Sequence, residues 1–346
     1  MGKGLALPIV IFLLCLMSVG TVCVLPVKAQ GTPFPTINIT INADGTITQP
    51  RTYFKQTGGT YTLRGGIYGQ VYGQITVLRS NAIIDGDGNT VQGKILVGNW
   101  DNQAIQAIYS PIAGMPSISN VTVEKFNVTG IPEELPGFGI ETIMASNVTL
   151  TNNTVKWAGG GISSEEDNAI DVEGGGSNVI IGNNLVNDFR VIFLHQTENN
   201  LIIWNNITCT HEPFYPSIGA PGQAIILFFG SNNTIYHNNF IDNDVQVYDA
   251  SPLSHNVWDD GYPLGGNYWS DYQSKYPNVT EINSLGIGDT SYVIDKNNTD
   301  HYPLMQPFTN AIYALQTTSP KVLVLSSLNQ TFVNSTVSLV FSANRG

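Results

Sequence analysis

The feature that most constrains the fold is a short phrase that the chain repeats four times. The copies are 147–153 (NVTLTNN), 178–184 (NVIIGNN), 200–206 (NLIIWNN) and 233–239 (NTIYHNN). Each copy has an Asn, three residues of strand character, one variable residue and an Asn-Asn pair, and the copies recur every 22 to 33 residues. Because this period is typical of solenoids, we predict stacked coils rather than a globular core.

The residue types in the repeat favour β-structure. A coil this short cannot bury its own apolar face, but coils stacked about 4.8 Å apart bury a continuous one. The repeated Asn residues then form columns in which side-chain amides bond from coil to coil. Looser copies begin at Asn81 and Asn120, and the chain has 35 Gly and only 12% charged residues. We predict an all-β fold, a right-handed parallel β-helix with three sides and eight or nine coils.

Changes in composition divide the chain into four regions. Residues 1–29 are predicted to be a signal peptide or an N-terminal anchor, because Lys3 precedes an apolar run and the small residues Val27 and Ala29 stand at the positions that a signal peptidase reads for cleavage before Gln30. Residues 30–257 carry the β-helix repeats. Residues 258–308 are rich in Gly and aromatic side chains, and we predict that they form a C-terminal cap. Residues 309–346 are predicted to be a linker and the first strands of a truncated Ig-like β-sandwich.

Three further blocks, together with the repeats, resemble one protein family. They are 83–93 (IIDGDGNTVQG), 256–272 (NVWDDGYPLGGNYWSDY) and 286–304 (GIGDTSYVIDKNNTDHYPL). Over residues 36–308 the chain resembles the NosD-like right-handed β-helix proteins of prokaryotic, especially archaeal, cell surfaces. The resemblance implies an elongated exported protein connected with carbohydrate binding or copper delivery, and it does not imply one chemistry. We therefore expect a secreted, extracellular or cell-surface location.

Charge restricts the classes of partner. Without residues 1–29, the chain contains 12 basic and 26 acidic groups. This balance disfavours nucleic acid and anionic membrane surfaces, so we expect no nucleic-acid partner. Membrane contact is expected only through an uncleaved N-terminal segment or a C-terminal region beyond this sequence. The expected partner is a polysaccharide, or a glycan or protein of the cell surface.

Eleven asparagines begin an N-x-S/T sequon, the acceptor sequence for N-glycosylation. They are Asn38, Asn120, Asn127, Asn147, Asn152, Asn206, Asn232, Asn278, Asn297, Asn329 and Asn334. The repeat phrase generates several of them by itself, since a stacking Asn is often followed by a β-favouring Thr. We expect glycans only at exposed turns and not at inward-facing Asn columns.

Candidate functional residues come from an alignment of 167–178, 189–200 and 222–233 that needs no gaps. Strand alternation turns two columns inward, Ile170/Ile192/Ile225 and Val172/Leu194/Leu227. The neighbouring columns must face outward, and they are Asp171/Phe193/Ile226 and Glu173/His195/Phe228. The sequence therefore predicts carboxylates, an imidazole and three exposed apolar side chains on one outer face, flanked by Asp167 and Arg190.

This predicted face has three interpretations. The candidate catalytic residues are Asp171, Glu173, Arg190 and His195, since paired carboxylates serve as general acid and base and Arg or His can accept a proton in a lyase. The candidate ligand-binding residues are Phe193, Ile226, Phe228 and Asp167. Alternatively, the insertion 207–223 covers the face and the residues are structural.

We therefore expect a non-catalytic platform for glycans or surface proteins, with a polysaccharide lyase or hydrolase as the alternative. Copper handling is a second alternative, although the histidines form no short H-x-H or H-x₃-H pair. No cofactor is expected, and calcium bound by the carboxylates is the alternative to that expectation.

Overall fold

The computed structural model describes residues 35–48, 51–69, 71–98, 118–130, 139–156, 168–188, 190–209, 221–251, 254–282 and 286–309. The chain divides into two units, 1–33 and 34–346, and every described residue belongs to the second unit. The predicted signal or anchor and the strands predicted after residue 309 lie outside these ranges. Within them, no helix is long and apolar enough to cross a membrane.

The described chain is built almost entirely of short strands. In chain order they are β1 (Thr36–Ile41), β2 (Phe54–Thr57), β3 (Thr60–Leu63), β4 (Tyr72–Val77), β5 (Ala82–Asp85), β6 (Thr90–Val97), β7 (Val121–Glu124), β8 (Asn127–Thr129), β9 (Ile140–Ile143), β10 (Thr149–Thr151), β11 (Thr154–Lys156), β12 (Asn168–Glu173), β13 (Val179–Ile181), β14 (Asn184–Asp188), β15 (Arg190–His195), β16 (Leu201–Ile203), β17 (Asn206–Cys209), β18 (Gln223–Phe228), β19 (Thr234–Tyr236), β20 (Asn239–Ile241), β21 (Val245–Asp249), β22 (Tyr268–Trp269), β23 (Tyr292–Val293) and β24 (Thr299–Asp300). A 3₁₀ turn spans Arg51–Tyr53, and one helical turn, α1, spans Tyr272–Lys275.

Parallel pairing between successive coils stacks these strands into three sheets. Sheet A contains β1, β4, β6, β9, β12, β15, β18 and β21. Sheet B contains β5, β7, β10, β13, β16 and β19, and begins with the antiparallel pair β2 and β3. Sheet C runs from the first residues of β6 through β8, β11, β14, β17 and β20 to β22. The predicted parallel β-helix is confirmed, with eight stacked strands of sheet A in the described residues.

Two rows of Asn amides run along the inside of the solenoid, and all of them are buried except the half-buried Asn256. In each row the side-chain oxygen of one Asn accepts the backbone N–H of the equivalent residue in the preceding coil, at 2.9–3.1 Å. The first row is Asn178, Asn200, Asn233, Asn256 and Asn298. The second is Asn153, Asn183, Asn205, Asn238 and Asn267, and it ends at Asp300. These rows confirm the predicted coil-to-coil bonding of the repeated Asn residues.

The repeat alignment is wrong by one residue in its first copy. Sheet B pairs Thr149 with Val179, so the counterpart of Asn178 is Val148 and not Asn147. The other three copies pair as predicted. The shift arises because an apolar residue occupies the first amide position in this coil, while Asn147 lies at the exposed corner just before it.

Each corner between sheets A and B contains a residue with left-handed backbone. These residues are Asn81, Asn120, Asn147, Ser177, Asn199 and Asn232, with φ between 54 and 60°. Asn is one of the few non-glycine residues that adopt this conformation readily. The exposed Asn residues of the repeat therefore turn the chain at the corners, whereas the buried ones bond the coils together.

The segment 258–308 closes the C-terminal end of the described solenoid. The buried Trp258 and Trp269 extend the core, and Trp269 stacks between Phe240 and Tyr292 at 4.2 and 4.4 Å. Asn298 and Asp300 accept the last hydrogen bonds of the two amide rows. We refer to this segment as the C-terminal cap.

Candidate functional site

The candidate site lies on the outer face of sheet A between β6 and β21, which we call the A-face. The inward and outward columns predicted for β12, β15 and β18 are confirmed by the strand register. The register extends the first outward column to Leu96, Glu141, Asp171, Phe193, Ile226 and Tyr248. The second outward column is Ile143, Glu173, His195 and Phe228.

Much of this face is less accessible than its sequence predicts. Asp171 is only 4% exposed, Glu173 and His195 are each 7% exposed, and Ile226 is 5% exposed. The prediction of three exposed apolar side chains is therefore wrong for Ile226, and Phe193 is half-buried. Phe228 is exposed as predicted. Strand alternation determines which side of a sheet a residue takes, but it carries no information on what covers that side.

Three carboxyl groups form an acid cluster on the A-face: Glu141, Asp171 and Glu173. Glu141 lies beside Asp171 on the adjacent strand, and Glu173 lies two residues further along β12 on the same side. Glu141 pairs with Lys94, whose side chain is 20% exposed. The Nδ1 atom of His195 lies 3.9 Å from Oε1 of Glu173.

The protonation equilibrium of Asp171 is strongly perturbed by its surroundings. Burial raises the pKa of the Asp171 carboxyl well above its usual range, and the charges of Glu173 and Glu141 raise it further. The Asn168 amide, which donates to Oδ2 at 2.8 Å, and the Lys94 charge oppose this increase. The Oδ1 atom of Asp171 is buried without a hydrogen-bond partner among the described residues. A protonated Asp171 would direct a donor into this space.

An aromatic patch adjoins the acid cluster along the columns. The rings of Phe193, His195 and Phe228 form a triangle, with His195 5.6 Å from Phe193 and 5.1 Å from Phe228, and the two phenyl rings 6.5 Å apart. Phe229 packs edge-on against Phe228 at 4.7 Å. Phe228, Phe229 and Tyr248 are 37, 59 and 49% exposed. The most exposed of these A-face side chains are therefore aromatic.

Of the remaining predicted site residues, the structure describes Arg190 but not Asp167. Arg190 is half-buried at the start of β15, in register with Asn168 and Gln223. Asp167 and the middle of the predicted covering insertion, 210–220, lie outside the described residues.

Sequence reasoning missed Lys94, Glu141, Asn168, Phe229 and Tyr248. Glu141 was detectable, because 140–148 aligns without gaps with 170–178 once Val148 is taken as the counterpart of Asn178. An alignment anchored on Asn147 instead places Glu141 opposite Val172, in an inward column.

Comparison with protein families gives one match to this chain. The family model described as "Periplasmic copper-binding protein (NosD)" matches residues 43–274, from the first coils into the C-terminal cap. The chain belongs to the NosD family. No individually curated protein matches the chain. Family membership supports the expectation of an exported β-helix protein.

The described residues do not fit the copper site that the NosD family description implies. In these residues, no three or more His, Cys, Asp or Glu side chains are grouped so that they could hold a metal ion. His237 is engaged by the carbonyl of Leu264 at 2.9 Å and stacks on Phe308 at 4.4 Å. His301 pairs with Asp259 at 3.0 Å. We therefore derive no step that uses copper.

Proposed function

We propose that this NosD-family chain is an exported protein whose A-face binds a glycan without modifying it. The observation that carries the proposal is the exposed aromatic patch of Phe228, Phe229 and Tyr248. The C–H faces of sugar rings stack on aromatic side chains, which contribute a large apolar contact area with few rotatable bonds.

Backbone conformation fixes the position of one ring of this patch. Phe229 adopts a φ of 58° at the corner that ends β18. The equivalent corners after β9, β12 and β15 are also left-handed and contain Met144, Gly174 and Gln196. The left-handed corner is thus a regular feature of these coils, and in this coil it carries an exposed aromatic side chain.

The charge of the chain favours neutral glycans. The formal net charge is −12, and the nearby Glu141, Asp171 and Glu173 add negative potential when ionised. Uronic acids and sulfated sugars would be repelled from such a surface. A neutral polysaccharide meets no such barrier.

The test is binding of the purified full chain to a panel of neutral and acidic polysaccharides. In the double variant Phe228→Ala/Phe229→Asn, Asn tolerates the left-handed backbone, so the variant removes both rings with little strain. We expect its dissociation constant to rise at least tenfold, which corresponds to about 1.4 kcal/mol. The control is Tyr68→Ala, because Tyr68 is 65% exposed before β4. Equal affinity of the double variant and the control would contradict the proposal.

The acid cluster favours one second candidate, hydrolysis of a glycosidic bond. Asp171, whose buried carboxyl has a raised pKa, lies beside Glu173 on the same side of β12, as a general acid lies beside its partner carboxyl. Asp171 would protonate the leaving oxygen while Glu173 removes a proton from the water that attacks the anomeric carbon. Because Asp171 is 4% exposed, hydrolysis requires the sugar to gain access to a buried carboxyl.

This candidate is tested by following new reducing ends and unsaturated uronates, with and without calcium. Hydrolysis predicts reducing ends that disappear in Asp171→Asn and persist in Glu124→Gln, which changes a carboxyl on sheet B. Unsaturated uronates would instead indicate a lyase with Arg190 or His195 as the proton acceptor. If no sugar gives product, the binding function stands alone.

A further inference from the structure

The asparagines of the amide rows and the asparagines of the N-glycosylation sequons are two separate sets. The buried Asn residues of the two amide rows begin no sequon, since none is followed two residues later by Ser or Thr. In contrast, the described sequon asparagines are exposed, with the exception of the half-buried Asn297. The solenoid therefore keeps its sequons apart from the amides that hold it together.

Exposure alone does not separate these sequons, but their hydrogen bonds do. The Asn120 amide donates to Asn81 Oδ1 at 3.1 Å, and the Asn127 amide donates to the carbonyl of Gly88 at 2.7 Å. A sugar on either nitrogen would replace an N–H and add bulk against the neighbouring coil. Asn206 accepts a bond from Asn239 at 2.7 Å, and Asn232 faces Glu198 at 3.5 Å.

Asn147 and Asn152 differ from these residues. Within the described residues, the side chain of neither one makes a hydrogen bond, and both are exposed. Both have left-handed backbone, with φ of 54 and 53°, at the corners that enter and leave β10. Each side chain thus projects from a turn.

The third residue of each of these two sequons is also free. Thr149 and Thr154 are half-buried outward residues of β10 and β11, and their hydroxyls form no hydrogen bond in the described part of the chain. In the cap sequon at Asn278, by contrast, the Thr280 hydroxyl donates to Asp289 at 2.6 Å. Asn38 is also free, but it lies within strand β1 and not in a turn.

We propose that Asn147 and Asn152 carry Asn-linked oligosaccharides. The reaction transfers a sugar from a lipid-linked oligosaccharide phosphate, the donor class used for N-glycosylation of exported proteins. The side-chain nitrogen forms a bond to the anomeric carbon while the bond from that carbon to the phosphate oxygen breaks. The phosphate leaves with the electron pair, and the amide loses one proton. This inference rests on export and not on the proposed binding function.

The two sites would place sugar on both sides of sheet B. The outer face of that sheet includes half-buried Val179, Ile181 and Leu201, which neighbouring glycans would shield from other proteins. The described A-sheet strands from β4 to β21 contain no sequon asparagine. Modification at Asn147 and Asn152 would therefore leave the aromatic patch of the A-face free for its ligand.

The test is to express the full chain in a host whose export route contains an oligosaccharyltransferase, together with a reporter glycoprotein of known occupancy. Glycopeptides are mapped by mass spectrometry after enzymatic release of the glycans in ¹⁸O water, which marks each occupied Asn. We expect glycans at both Asn147 and Asn152. Two matched pairs assign them: Thr149→Val and Thr149→Ser for Asn147, and Thr154→Val and Thr154→Ser for Asn152.

Each Val variant keeps the Asn and a β-favouring side chain but removes the hydroxyl, whereas each Ser variant retains the sequon. The glycan should disappear in the Val variant and persist in the Ser variant, with unchanged circular dichroism. The proposal is overturned if either Asn is unmodified in a preparation whose reporter is fully occupied. It is also overturned if a glycan survives the corresponding Val substitution.

Discussion

Two buried carboxyl groups illustrate how the same residue type has different roles in one solenoid. Asp300 accepts hydrogen bonds from the backbone of Asn267 at 2.8 Å, the Trp269 indole at 2.9 Å and the backbone of Tyr302 at 3.1 Å. Asp171 accepts one amide and lies among other carboxyls. The first arrangement is a structural acceptor that ends an amide row. The second concentrates titratable groups with few partners, as functional sites often do.

Asp300 should make stability depend on pH. Burial raises the pKa of Asp300 to about 7, against about 3.9 for an unfolded Asp. Between these values the folded chain holds one more proton than the unfolded chain, so stability is full at low pH and decreases as pH rises to 7. Denaturant titrations at pH 4 and pH 7 should show a larger advantage of wild type over Asp300→Asn at pH 4. A constant difference would refute the proton uptake.

Individual positions on the A-face were predictable because β-strands alternate and the three aligned coils have equal length in this region. Asp171, Phe193 and Ile226 therefore fell in the correct column. Accessibility was not predictable from the same pattern, since alternation carries no information on what packs against the outer side of a sheet. Ile226 and Asp171 are only 5 and 4% exposed.

At the scale of the element, the amide rows distinguish this solenoid from one held only by its apolar core. The oxygen of each inner Asn accepts from the preceding coil, and among the described residues the side-chain nitrogens are paired except for that of Asn256. The Asn205 side chain takes part in five hydrogen bonds, four of them to neighbouring coils, with donor–acceptor distances of 2.8 to 3.0 Å. Its neighbour Asn206 is exposed and accepts one bond from Asn239.

Adjacent asparagines should therefore differ greatly in their contribution to stability. Asn205→Ala leaves several buried donors and acceptors unpaired, and each costs about 1–3 kcal/mol. We expect the free energy of unfolding to decrease by at least about 3 kcal/mol. Asn206→Ala, the matched control, should cost less than about 1 kcal/mol. Similar losses for both variants, measured by urea denaturation, would show that the buried row is not a major source of stability.

The existence of these elements was predictable from the Asn-Asn period, but the register of the first copy was not. Asn has two structural roles in this chain, because it occurs both in the buried rows and at the left-handed corners. Where Val148 occupies the first row position, the pattern matches equally well one residue away, at Asn147. Only the pairing of Thr149 with Val179 resolves the ambiguity.

At the scale of the molecule, the faces of the solenoid have distinct compositions. The A-face combines an acid cluster with an aromatic patch. The corners beside sheet B carry the free sequons, and the interior contains the apolar core and the two amide rows. One regular backbone can support these differences because alternation and corner residues leave the outward positions free to vary. The parallel β-helix followed from the sequence, whereas the role of each face required the side-chain contacts.

The C-terminal cap has a consequence for self-association. Asn298 and Asp300 occupy the last positions of the two amide rows, and the aromatic residues around Trp269 cover the end of the core. A chain without this segment would present unpaired strand edges at the end of the solenoid. The last Asn residues of the two amide rows would also lack partners, at positions that one more coil would match. Such an edge is a template on which another copy can add and grow into a fibre. The cap thus prevents further coils from adding at this end of the solenoid, and so disfavours end-to-end association with other copies.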